Sequence, residues 1–211
     1  MLAPHFKTHA ERIPSLAIIS AREIELYETH FCILKSWNER MALVSKKSID
    51  KSFASHYVDS IFISDFAEKL RNGRTVYDLG TGAGFPGIVF AIRYPSAKVE
   101  IFERSLKKQT FLSAALAALN LPNISLGGEF PSQRRSGVFL GRAVLPPPEL
   151  FKYMSKRMSE GSTLVVNVGG SSEPIKAPPQ FTKTGEQLYE LPMECGPRRV
   201  ESFDYVPRGT K

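Results

Sequence analysis

Tyr77-Asp78-Leu79-Gly80-Thr81-Gly82-Ala83-Gly84-Phe85-Pro86-Gly87 is the stretch that decides how this chain is read. A β-type run, Thr75-Val76-Tyr77, leads into an acid and then into glycines at alternating or near-alternating positions. The apolar segment Ile88-Val89-Phe90-Ala91-Ile92 follows and continues as a helix. Glycines at that density let the backbone turn sharply and approach a ligand with no side chain between. The helix opening next points unpaired N–H groups at the same place, and Pro86 suits its first turn. The stretch predicts strand, nucleotide-cradling loop, helix.

Working outward, 211 residues suit one domain with an appended segment and are enough for a real core. The 42% apolar and 23% charged content is that of a soluble globular protein. A net charge of +7 favours a polyanionic partner, nucleic acid first. Two cysteines, Cys32 and Cys195, exclude a disulfide framework and a multi-cysteine metal site. His5 and His9 stand at helical spacing without a third ligand candidate, so no metal is expected. The N-terminus has no apolar run long enough for a signal or membrane helix, which predicts a cytoplasmic protein.

Residues 1–18 show no clear period and read as a loosely held lead-in. Ser20-Ala21-Arg22-Glu23 has the capping-box form, and Ile24, Tyr27, Phe31 and Leu34 give the following helix one apolar face as far as Trp37-Asn38. A second helix is predicted from Ser48 to Ile61, with Ile49, Phe53 and Tyr57 inward, and a third from Ser64 to Leu70, stopped by Arg71-Asn72-Gly73. Residues 1–72 therefore read as an N-terminal helical cap and 73–211 as the ligand-binding domain. In the latter, Lys98–Glu103, Val138–Leu140 and Leu164–Val168 read as strands, and Leu106–Leu119 and Glu149–Met158 as helices. A Gly/Ser/Pro-rich loop, 169–180, precedes terminal strands near Gln187–Leu191 and Val200–Val206. Strands alternating with helices predict a doubly wound parallel α/β sheet.

Gly82, Gly84 and Gly87 satisfy the dinucleotide pattern literally, so a nicotinamide cofactor competes with S-adenosylmethionine (SAM). Asp78 at the strand tip, with Gly80 and Gly82 before the matching triplet, suits a ligand carrying an ammonium group and repels a pyrophosphate. Glu103, ending the second strand, stands where an acid meets ribose hydroxyls and serves either cofactor.

Asp78 to Ile88 resembles the signature D-[VL]-G-[ST]-G-[AP]-G-[FL]-P-G-[IL] of the RsmG, or GidB, family. Its members are bacterial SAM-dependent methyltransferases of small-subunit (16S) ribosomal RNA. Trp37-Asn38 with Leu43 and His56-x-x-Asp59-Ser60 are similar to family elements upstream. Glu103 with Lys107, Lys108, Phe111 and Leu112 is similar to one downstream, as are Glu129-Phe130, Arg142-Ala143 and Pro192-x(3)-Gly196-x-Arg198. The resemblance covers about residues 20–206. It implies a Rossmann-like SAM-dependent methyltransferase sheet, and methyl transfer to guanine N7 of ribosomal RNA or of a small-subunit assembly intermediate. The implied cofactor contacts are Asp78, Gly80, Gly82, Gly84, Phe85, Glu103, Gly128, Glu129 and Arg142. Lys107, Lys108, Arg134, Arg135 and Arg198 are candidate phosphate contacts, with solvated surface as the alternative for each.

Several positions depart from the pattern. Val44 stands for Thr and Ser55 for Arg, the segment between Asn123 and Glu129 is short, and Gly137 stands for Asp. Asn167-Val168-Gly169 lacks the family's lysine. These departures motivate a second reading, a catalytically weakened relative that binds SAM or RNA without turnover. No Ser/His/Asp or Cys/His constellation is present, and none is needed, because guanine N7 carries a free lone pair and no proton. His56 and Asp59, three apart on one helix face, are expected to clasp the cap onto the glycine loop rather than do acid–base chemistry.

Overall fold

A computed structural model describes residues 1–169 and 173–207. Residues 170–172, near the start of the predicted 169–180 loop, lie outside the described residues. Seven strands form one sheet in the order β3-β2-β1-β4-β5-β7-β6. They are β1 Val76–Leu79, β2 Val99–Phe102, β3 Ile124–Gly127, β4 Val138–Arg142, β5 Thr163–Gly169, β6 Phe181–Leu191 and β7 Gly196–Tyr205. The first five pair in parallel, and β7 and β6 add an antiparallel edge. The doubly wound sheet predicted from the alternating pattern is present. The order in which strands are added reverses between β1 and β4, and the carboxyl ends flanking such a switch point leave a crevice for a ligand.

Side chains alternate across the sheet and build a core on each face. Val76, Val99, Ile101, Val138, Leu140 and Val165 pack under α3 (Ala21–Asn38), α5 (Asp59–Arg71), α6 (Gly87–Arg93) and α7 (Leu106–Leu119). Tyr77, Leu79, Phe102, Phe139, Leu164 and Val166 face α8 (Pro147–Met154). With both faces covered, β1 is buried along its whole length.

The N-terminal region differs from expectation in two ways. Residues 1–18 are not a loose lead-in. They form α1 (Ala3–His9) and α2 (Pro14–Ala17), which bury Leu2, Phe6 and Leu16. Phe6 meets Phe53 edge-on at 4.8 Å. Each helix is too short to display a period, which is why the pattern was silent. The second and third helices, expected to part after Ile61, are continuous there. After α4 (Lys46–Asp50) the chain runs through a π-helix, Phe53–Val58, directly into α5. The Asp59 N–H reaches back five residues to the Ala54 carbonyl. One such wide turn shifts the side chains that follow around the axis, and sites are often built on it.

Smaller corrections concern ends. The α8 helix stops at Met154 rather than Met158, β6 starts at Phe181 and β7 at Gly196. The short segment after Asn123 still makes a full edge strand, β3, paired with β2. Gly137, where the family has Asp, leaves no room for a side chain: a Cβ there would lie 2.5 Å from the Thr75 carbonyl oxygen and 2.6 Å from the Tyr77 ring.

The cap is tied to the sheet by α6. Arg93 pairs with Asp65 on α5 and, at 3.0 Å, with Glu23 on α3. Ser20 caps α3 as the sequence predicts: its hydroxyl accepts the Glu23 N–H, and the Glu23 carboxylate accepts the Ser20 N–H.

Candidate cofactor and acceptor site

The loop between β1 and α6 turns over the carboxyl end of β1 with Gly80, Gly82 and Gly84 all at positive φ. Gly80 needs its bareness twice. Its φ is +62°, and a Cβ would stand 2.6 Å from Val144 Cγ2 on the β4 side. Gly82, at φ +60°, has open space instead, and its N–H donates to Glu103 Oε2 at 3.1 Å. Glu103 Oε1 accepts the Ser105 N–H at 2.9 Å. One carboxylate at the end of β2 thereby fixes the glycine loop and the start of α7 together. Pro86 stands at the N-cap of α6 rather than inside its first turn.

A cavity of about 490 Å³ opens here. Leu79, Gly80, Glu103, Gly128, Glu129 and Val144 line it, with Phe102, Phe130 and Leu150 among its apolar walls. That volume is of the size that takes a cofactor, about 300–1,000 Å³. Strand ends, a bare glycine backbone, two carboxylates and apolar walls fit a ligand with a ribose and a flat base. Lys108 stands on the rim. Phe130 belongs to the Glu129-Phe130 element already singled out, whereas the walls Leu150 and Tyr153 had no motif to announce them, because they come from α8.

Asp78 is placed differently from the sequence reading. It is fully buried and does not line the cavity. Its Oδ2 accepts the Gly87 N–H at 2.9 Å, because the loop folds back over the strand tip. Burial pushes its carboxyl up to about 7, against the pull of Thr81, the Gly87 N–H and Arg142. Its Oδ1 has no hydrogen-bond partner among the described residues. Asp78 faces the loop's own backbone and shapes it from beneath.

Arg142 also stays out of the cavity wall. It leaves β4 toward the cap, where its Nε meets Asp59 Oδ2 at 3.0 Å. Its Nη2 donates to the Ser55 carbonyl and, at 3.2 Å, to His56 Nδ1. The guanidinium lies 5.9 Å from the Phe85 ring centroid, and His56 stacks on that ring at 5.0 Å. The cap thus grips the glycine loop through Phe85, with His56 and Asp59 as the clasp. Burial first, then the Arg142 charge and His30, lower His56 to about 3. His30 lies edge-on to Phe85 at 5.2 Å, with its Nδ1 2.8 Å from the Tyr57 hydroxyl, and burial lowers it to about 4. Both imidazoles are neutral at pH 7. Sequence reading missed Tyr189 and Asn167, which join Asp59 from β6 and β5. No local signal connects positions so far apart in the chain.

The basic candidates divide by place. Lys107 and Lys108 open α7 beside the cavity, and Arg198 lies opposite Gly169 at the carboxyl end of β5, on the same edge of the sheet. Arg134 and Arg135 precede β4 and so stand at the other end of the strands. Both are engaged within the fold. Arg134 donates to the Met158 carbonyl and lies 5.6 Å from the Tyr205 ring centroid. Arg135 pairs with Glu100 at 3.2 Å. They do not join the site. Among the described residues no group of His, Cys, Asp and Glu could hold a metal ion, and no helix is long and apolar enough to cross a membrane.

The model of the family described as GidB, rRNA small subunit methyltransferase G, matches residues 23–178. Ribosomal RNA small subunit methyltransferase G of Erythrobacter litoralis is 33% identical over 155 residues, 72% of this chain and 74% of that protein. The protein of the same name from Paracoccus denitrificans is 30% identical over 146 residues, 68% of this chain and 75% of that one. Among solved structures, a point mutant of MtNAS in complex with S-adenosylmethionine superposes with a TM-score of 0.60 at 14% identity, over 86% of this chain and 72% of that chain. A SAM-dependent methyltransferase from Aquifex aeolicus gives 0.54 at 14% identity, over 76% and 99%. At that identity the structures speak for the fold alone.

Proposed function

The chain belongs to the GidB family of small-subunit rRNA methyltransferases, and on that premise we propose that it transfers a methyl group from S-adenosylmethionine to guanine N7 of small-subunit ribosomal RNA. The observation that carries this reading is the cavity at the β1/β4 switch point, walled by Gly80 of the glycine loop and by Glu103, whose carboxylate holds the Gly82 N–H. Gly80, Gly82, Gly84 and Glu103 are the proposed cofactor cradle, with Gly128 and Glu129 at the far wall. Phe85 and Arg142 border the cradle on the cap side.

The cofactor supplies a methyl group already activated on a sulfonium sulfur. The chain then has to hold, align and dry the site. The guanine N7 lone pair forms the new carbon–nitrogen bond while the methyl–sulfur bond breaks, and no proton leaves the base. No general base is required, which agrees with a site whose two histidines are buried, neutral and committed to packing. Alignment of lone pair and methyl–sulfur bond is an orientation effect, and fixed dipoles in a water-poor cleft add to it. The target base has to leave its stack to reach the site. Lys107, Lys108 and Arg198, on the cavity side of the sheet, are the proposed phosphate contacts. The setting is cytoplasmic, where ribosomal subunits are made.

Neither alternative is favoured. The relatives are methyltransferases by name, and the position of the family's lysine is held here by Val168, packed against the core under α8. The test is methyl transfer from labelled SAM to small-subunit RNA lacking the modification, followed by mass mapping of the modified base. Label at a guanine N7 is expected. SAM binding with no incorporation into RNA would overturn the reading.

A further inference from the structure

A second cavity, of about 380 Å³, opens in the cap and shares no lining residue with the cofactor cavity. Its walls are apolar: Leu2 and Phe53, each 2% exposed, with the half-buried Phe31 and Ile49. His5 also lines it and stacks on Phe53 at 5.4 Å. At its mouth stand Lys35, Lys46, Glu39 and Asp50, all exposed and none with a hydrogen-bond or ion-pair partner among the described residues. Asn38 commits Oδ1 to the Val44 N–H at 2.9 Å, which leaves its Nδ2 a donor without a partner among the described residues.

The course of α3 sets where this cavity lies. Glu23, near the start of α3, meets Arg93 at the end of α6, and His30 meets Phe85 just ahead of α6. The two helices therefore run in opposite directions, and the last turns of α3 carry on past the glycine loop. Since α6 leads away from the carboxyl ends of the strands, those turns stand on the side where the cofactor cavity opens and Lys107 and Lys108 begin α7. Trp37 fixes them there, 6.0 Å from Phe111 of α7. Phe53 lies in the same π-helix as His56, which stacks on Phe85. From His30 to Asn38 is about 12 Å of helix, the length of about four nucleotides of a stacked strand.

The chemistry of the lining fits a nucleobase. Apolar walls with an aromatic ring receive a flat base by stacking. The two lysines suit the phosphates beside that base. The two carboxylates repel phosphate but accept from an exocyclic amino group, and the free amide of Asn38 donates to a carbonyl or ring nitrogen. A peptide could meet the same walls, but the net charge of +7 and the nearness of the methyl-transfer site favour RNA. Resting on the rRNA methyltransferase reading, we propose that the cap cavity receives an unpaired base of the substrate RNA, a few nucleotides from the methylated guanine. Unstacked bases of single-stranded segments are what proteins read in RNA, so this cavity selects the strand that reaches the cofactor.

The experiment places a benzophenone side chain at Lys46 and irradiates the protein with unmodified small-subunit RNA. A cross-link is expected within about four nucleotides of the methylated guanine. An abasic nucleotide at the cross-linked position, in an RNA fragment spanning the site, keeps the phosphate and deletes the base. It is expected to raise KM about tenfold while SAM affinity by calorimetry stays unchanged. Lys35→Glu combined with Lys46→Glu should raise KM at least as much, and Lys47→Glu, exposed on α4 but outside the cavity, should raise it less. Wild-type KM for the abasic RNA, or cross-links only to distant nucleotides, would overturn the inference. So would cross-linking in assembled small subunits to protein alone, which would assign the cavity to a peptide. Should the wild-type protein methylate no RNA at all, the functional reading fails. A cross-link to one RNA position, lost when that base is removed, then still decides whether the cavity holds a base.

Discussion

The glycine-loop side of the cleft and the Arg142 side meet at the ends of β1 and β4, yet they draw on different parts of the chain. On the glycine-loop side the polar work is done by backbone: the N–H groups of Gly82, Gly87 and Ser105, each held by a carboxylate from a strand end. On the Arg142 side it is done by side chains, with Arg142, Asp59, Tyr189 and Asn167 converging from four elements. A backbone cradle tolerates almost no change of residue where φ is positive, and it is compact in sequence. A side-chain network can be altered one hydroxyl at a time, and it is scattered. The two halves should therefore fail differently when they are perturbed.

The largest effect is expected from Gly82→Asp. At φ +60° an L residue is strained, although there is space for the side chain. The new carboxylate would stand next to the N–H that Glu103 holds, placing two like charges together at the cavity edge. SAM affinity measured by calorimetry should fall at least about a hundredfold, the equivalent of about 2.7 kcal/mol, while circular dichroism still reports a folded chain. Unchanged affinity would break the assignment of the cradle, and loss of fold would break the claim that the two halves fail separately.

That contrast also explains what could be read in advance. The strand–loop–helix unit at Tyr77–Gly87 was legible because its function is carried by contiguous residues whose spacing is itself the signal. Glu103 and the Leu106–Leu119 helix were legible for the same reason: the acid ends a strand and the helix has a sustained apolar pattern. Tyr189 was not, since nothing at position 189 announces a partner at 59, 130 residues away along the chain. The π-helix was not legible either. Its extra residue is absorbed without any change of composition, and yet the turn lies directly ahead of Asp59, which it brings to Arg142. Asp78 was half legible: its placement at the strand tip was right, but whether it faced ligand or loop depended on how the glycines folded back. Arg134 and Arg135 misled because a pair of cations looks the same at either end of a strand.

A second perturbation tests the floor that both halves share. His30 and His56 both touch Phe85 and are held neutral, at about 4 and about 3, where an unfolded histidine sits at 6.5. Their contribution to stability is whole above pH 6.5 and is lost as pH falls toward those lowered values, because the unfolded chain takes up protons that the folded one refuses. Asp78 opposes them. Its raised value of about 7 means that the folded chain binds a proton the unfolded one has released, so its contribution grows as pH falls from 7 toward 4. Two histidines against one aspartate leave a net loss on the order of 1 kcal/mol per pH unit between pH 6.5 and 5. Urea unfolding across that window should show the slope, and His30→Gln should come close to flattening it, whatever that variant does to stability at pH 7. An unchanged slope would mean that His30 does not titrate as its burial requires.

The smallest effect is the one that best separates the cap from the cleft. Ser20 is exposed and closes the first turn of α3 with Glu23, whose two oxygens are divided: Oε2 serves Ser20 and Oε1 meets Arg93 at 3.0 Å. Ser20→Ala removes the hydroxyl that accepts the Glu23 N–H and leaves the ion pair to α6 in place. The expected cost is that of a lost N-cap, about 1 kcal/mol, or about 2–4 °C in Tm for a chain of this size. Because α3 meets the glycine loop at His30 beneath Phe85, ten residues from the cap, SAM affinity and transfer to RNA should both stay at wild-type values. A fall in either would show that the cap's first turn is coupled to the glycine loop through the Glu23–Arg93 tie, and loop side, Arg142 side and cap would then have to be treated as one cooperative unit.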